Sequence, residues 1–132
     1  MNALANTNHL ISIENIDHVR ETLTRISLLS VYASMSMESK SSHPSEILLE
    51  KTFAQIHADS SAMAERLHVL DDDSAIMGGA IATLETISLL SIFTVLSMPL
   101  NPSPSLLEKA FNRIYEACEA FVIKLDEAEA AA

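Results

Sequence analysis

The segment Glu65-Arg66-Leu67-His68 sets a carboxylate and an imidazole three residues apart, on one face of a helix. A ferritin-like two-metal site is built from two such pairs and two further carboxylates. An internal repeat described below aligns Glu65 and His68 with Ile123 and Asp126, so the second pair is missing. The other histidines, His9, His18, His43 and His57, have no ligand spacing among themselves. They read as surface histidines, and neither a metal nor any other cofactor is expected.

Cys118 is the single cysteine, so no internal disulfide forms and a reducing compartment is expected. A nucleophilic thiolate needs an electropositive, partly exposed setting. Cys118 instead falls on an apolar helical seam, where a buried small residue is expected. Gly78-Gly79 is not a phosphate loop, because no third glycine and no lysine follow at the required spacing. The pair is expected to serve close helix packing. The chain has no GxSxG, CxxC or HExxH, and no nucleophile with an evident base. No enzyme is expected.

Composition narrows the partners. The 132 residues carry a formal charge of −10, with eight basic and eighteen acidic side chains. Residues 1–70 hold −3 of it and residues 71–132 hold −7. Such a chain does not neutralise phosphates, which excludes nucleic acid and disfavours anionic membranes. A basic protein partner is compatible. Residues 1–10 lack the basic stretch and apolar core of a signal peptide, and a cytoplasmic protein is expected.

Hydrophobic residues reach 48%, yet aromatics only 5%, with two glycines and four prolines. Long helices filled by Ala, Leu, Ile, Ser and Met follow from this. The chain is expected to form one domain over 1–132.

The strongest sequence signal is a duplication. The eleven residues Thr22 to Tyr32 recur 61 positions later as Thr83 to Phe93, with seven identities. Leu48 to Ile56 recur 58 positions later as Leu106 to Ile114. The change of offset falls between Met37 and Pro44, where a turn is expected. The repeat spans 14–70 and 75–128, each copy reading as helix, Pro/Ser turn, helix.

The second helix of each copy has one seam: Leu49, Phe53, Ile56, Ser60, Met63, Leu67, Leu70, matched by Leu107, Phe111, Ile114, Cys118, Phe121, Leu125, Ala128. Alternating steps of four and three put each seam on one helical face. The first helix of each copy is apolar around most of its circumference. A serine stripe interrupts it at Ser27, Ser30 and Ser34, and in the second copy at Ser88 and Ser91. Small residues allow close approach, and each hydroxyl can bond the carbonyl one turn back. These two helices are expected to be the inner pair. Ala75 to Met98, with Glu85 as its one charge, is long enough to span a bilayer. Its threonines and serines favour a buried core helix instead.

The expected fold is all-α: a four-helix bundle of two duplicated αα-hairpins related by a pseudo-twofold axis. Helices are expected near 14–38, 45–70, 74–98 and 104–128, with Asp71-Asp72-Asp73-Ser74 supplying the N-cap of the third and frayed ends at 1–12 and 128–132. One core cannot cover the apolar surplus of the first and third helices, so an exposed patch remains. That surplus and the absence of catalytic residues point to a non-catalytic protein-interaction module. It would mask or inhibit another protein, as inhibitors, immunity proteins, anti-activators and secretion chaperones do. A homodimer, or a monomer that grips its partner with this patch, is expected, with Val31, Met35, Ile92 and Val95 as contacts and the homodimer slightly favoured. The alternative is a small-ligand or metal sensor using the bundle interior.

Overall fold

The structure is a computed structural model describing residues 2–38, 45–70, 72 and 74–131. His43, Pro44, Asp71 and Asp73 lie outside the described residues. Four helices follow one another: α1 (Asn2–Glu38), α2 (Glu46–Val69), α3 (Ala75–Ser97) and α4 (Pro104–Ala131). Among the described residues there is no strand, and the fold is a four-helix bundle. The ends match the expected ones to within a residue except at the two termini. There α1 begins at Asn2 rather than near residue 14, with no glycine or proline in the intervening stretch to stop it. α4 likewise continues to Ala131 through an Ala- and Glu-rich end.

Serine caps set three starts. Ser45, Ser74 and Ser103 each accept from the backbone N–H three residues on, at 3.1, 3.3 and 3.3 Å. Asp72 also accepts from the Ser74 N–H at 2.9 Å, tightening the turn between α2 and α3. A short 3₁₀ turn, Met98–Leu100, ends α3, and Asn101 then adopts φ 54° to reverse the chain.

The closest helix pairs are α2 with α3 and α1 with α4; the pairs within each hairpin are looser. α1 and α3 therefore stand at opposite corners, and the expectation of an inner pair is overturned. The serine stripes explain why. Ser27 donates to Glu119 at 2.9 Å and Ser34 to Asn112 at 3.1 Å, so that stripe faces α4. On α3, Ser88 meets Ser61 at 2.7 Å and His57 Nδ1 at 2.9 Å, so it faces α2. The deepest serines, Ser30, Ser60 and Ser91, bond the carbonyl one turn back at 2.7–2.8 Å. Along α1 and α4 the ties step by one heptad in opposite directions: Arg20 with Asp126, Ser27 with Glu119, Ser34 with Asn112. Arg20 also pairs with Glu129 at 2.7 Å.

Both seams are buried from Leu49 to Leu67 and from Leu107 to Leu125. Leu70 and Ala128, the last residue of each expected seam, are exposed instead. Leu70 lies beyond the end of α2, and Ala128 sits on the last turn of α4, where partner helices run out. In the middle of the core Phe53 and Phe111 stack across the α2–α4 diagonal, with centroids 3.9 Å apart and planes 15° from parallel. α3 buries one stripe, Met77, Ala80, Leu84, Ile87 and Ser91, and leaves an apolar face outside. It is thus not the buried core helix expected. Among the described residues it is the one helix long and apolar enough to cross a membrane.

Candidate functional site

Cys118 is fully buried on the α4 seam, and burial pushes its thiol up to about 12, with a smaller contribution from Glu119. A thiol so held stays protonated at neutral pH and is no nucleophile. His68 bonds Glu85 on α3 at 2.7 Å, and Glu65 stays exposed. Among the described residues no group of three or more His, Cys, Asp or Glu side chains gathers as a metal would need. Of the glycine pair, only Gly79 serves packing. A Cβ there would sit 3.0 Å from the Phe121 ring, whereas one on Gly78 would meet nothing within 4 Å.

The apolar surplus of α1 and α3 lies on their outward faces. Leu28, Tyr32 and Met35 form a stripe at steps of four and three, 49%, 63% and 60% exposed. Their repeat partners Leu89, Phe93 and Leu96 are 54%, 64% and 65% exposed. No charged residue occurs in Ile26–Met37 or in Thr86–Leu107. Exposed Ile47, Leu48, Leu100 and Leu106 sit at the same end of the bundle, where both hairpins turn. Beside Tyr32, a groove of about 180 Å³ opens between α1 and α2, lined also by Leu29, Ala33, Leu48 and Leu49.

Of the four contacts expected from sequence, Met35 belongs to this surface. Val31, Ile92 and Val95 are half-buried, and Val95 packs on the core. Val31 lies between Ser27 and Ser34, which face α4; Ile92 stands four residues after Ser88, which faces α2. Both therefore turn toward a neighbouring helix. Tyr32, Phe93 and Leu96 were missed, although the Tyr/Phe match within the repeat marked the position. α1 and α3 stand at opposite corners, so there are two stripes rather than one patch.

A second kind of site lies inside the hairpins, nearer the opposite end. A cleft of about 350 Å³ between α1 and α2 is lined by His18, Glu21, Arg25, Asp59, Met63 and Arg66, with Thr22 and Ala62. A cleft of about 260 Å³ between α3 and α4 is lined by Ala82, Thr83, Thr86, Ala117, Ala120, Phe121 and Lys124. Every residue of the second cleft is the repeat partner of one in the first. Glu21 becomes Ala82, Arg25 becomes Thr86, Asp59 becomes Ala117 and Arg66 becomes Lys124. The same hollow occurs twice, once charged and once nearly neutral.

Compared with known proteins, the chain matches no protein family, no curated protein and no solved structure.

Proposed function

We propose that this chain is a non-catalytic, cytoplasmic protein-interaction module that binds and masks or inhibits another protein. The observation that carries the reading is the pair of outward stripes, Leu28-Tyr32-Met35 and Leu89-Phe93-Leu96, each open to solvent. Large apolar side chains gathered in this way mark interfaces. Tyrosine and phenylalanine supply contact area with few rotatable bonds to freeze. A second copy of the chain covers the stripes in the homodimer reading, and a partner with basic character suits the charge of −10.

The duplication belongs to the same proposal: two copies of one hairpin about a pseudo-twofold axis. Matched burial of the two seams, matched exposure of the stripes, the twin clefts and the equivalent caps Ser45 and Ser103 support it. Because the stripes stand at opposite corners, such a module offers two like gripping faces. The small-ligand sensor remains a second reading, favoured by the charged α1–α2 cleft.

The test is a Tyr32→Glu, Phe93→Glu variant, whose altered side chains are already solvent-exposed and which should keep the parent melting curve. Light scattering at micromolar concentration reports self-association, and affinity capture with mass spectrometry reports a partner. A dimer or a specific partner present with the parent and lost with the variant is expected. A strictly monomeric parent whose captured proteins are the same for the variant refutes the proposal.

A further inference from the structure

Four formal charges line the α1–α2 cleft, and none of them pairs with another. Among the described residues Arg25, Arg66 and Glu21 make no side-chain hydrogen bond or ion pair, and Asp59 only accepts from Gln55 Nε2 at 2.8 Å. Arg25 and Arg66 thus keep their guanidinium donors open toward the cleft. Among the described lysines and arginines Arg20 alone holds carboxylates, those of Asp126 and Glu129. The twin cleft shows that the charges are not needed to build the hollow, because alanines and threonines line the same backbone there.

The mixed lining restricts what fits. A bare anion attracted to Arg25 and Arg66 is repelled by Glu21, by Asp59 and by the net charge of the protein. A bare cation meets the two guanidinium groups. A molecule carrying both signs satisfies both sets, its carboxylate accepting forked bonds from a guanidinium and its ammonium donating to the Asp59 or Glu21 carboxylate. The cleft, at about 350 Å³, is the size of a site for a small molecule. We infer that the α1–α2 cleft binds a small zwitterion of the α-amino-acid type. The inference is independent of the apolar stripes, so the Tyr32→Glu, Phe93→Glu variant leaves it intact.

The test titrates the full chain with each of the twenty free L-amino acids at millimolar concentration and follows backbone amide shifts by NMR. Acetate and methylamine serve as single-charge probes. At least one amino acid is expected to shift the amides around Arg25, Asp59 and Arg66 saturably, with neither single-charge probe doing so. The Glu21→Ala, Arg25→Thr, Asp59→Ala variant gives these three positions the residues of the second cleft and removes both carboxylates, and parent-like circular dichroism checks its fold. That variant is expected to bind about tenfold more weakly or worse, as loss of charge-assisted bonds implies. Three results overturn the inference: no amino acid giving a saturable shift, the variant binding as the parent does, or acetate or methylamine alone matching the best amino acid.

Discussion

The stacked rings at the centre of the bundle allow a sharp test of how α2 and α4 meet. Phe53 and Phe111 are fully buried, with centroids 3.9 Å apart. Truncation to alanine costs about 3–5 kcal/mol per ring, so a double alanine variant approaches the whole stability of the domain, roughly 5–15 kcal/mol. Leucine is the better probe, since it keeps an apolar group of similar bulk and costs about 1–2 kcal/mol. Each single change, Phe53→Leu or Phe111→Leu, loses its own packing and the ring–ring contact. The double variant loses that contact only once. It is therefore expected to be more stable than additivity predicts by about 0.5–1.5 kcal/mol, the worth of a stacked aromatic pair. Urea unfolding by circular dichroism measures all four proteins, with an unchanged m-value confirming a common denatured state. Phe121, one heptad and a half along α4, provides a control: Phe53→Leu with Phe121→Leu should add to within about 0.3–0.5 kcal/mol. If Phe53 and Phe111 also prove additive, the rings are not stacked and the register of α2 against α4 is wrong.

Other outcomes follow from single sites. Gly78→Ala, in open space on α3, should stabilise the fold by about 0.5–1 kcal/mol in thermal melts, whereas Gly79→Ala gains the same helix propensity but drives a methyl into the Phe121 ring and should melt below it. Cys118 should resist thiol reagents in the native state and react on unfolding. Its thiol pKa lies higher folded, at about 12, than unfolded, near 9.0; the stabilisation is therefore complete below pH 9 and lost as pH rises from there toward 12, a loss that Cys118→Ser should not show. That variant copies Ser60, whose hydroxyl donates to the Ile56 carbonyl, and should fold with a cost of about 1 kcal/mol in urea unfolding. Arg20, whose guanidinium is held above its ordinary value first by Asp126, ties α1 to the end of α4. Both carboxylates are largely exposed, so Arg20→Ala should cost at most about 1 kcal/mol at low salt and less in concentrated salt, measured by chemical denaturation in both.

The inner ends of the helices, the repeat and the buried run of both seams were legible in the residues alone. These rest on local chemistry: serine caps, few breakers, and apolar steps of four and three that leave one possible inward face. Leu49 to Leu67 and Leu107 to Leu125 were legible because each of those helices has a single apolar stripe. α1 and α3 were not legible in the same way. Residues such as Leu28, Val31 and Leu84 surround those helices with apolar surface, and a circumference that is apolar all round does not say which neighbour it meets. Helix packing alone settles that Ser27 and Ser34 face α4 while Ser88 faces α2, which sets α1 and α3 at opposite corners. The same choice turned Val31 and Ile92 toward neighbouring helices and left Tyr32 and Phe93 outside. The charged cleft was hidden for a related reason. Arg25 and Asp59 are 34 positions apart in the chain, and no spacing rule links two helices until their pairing and register bring them to one groove.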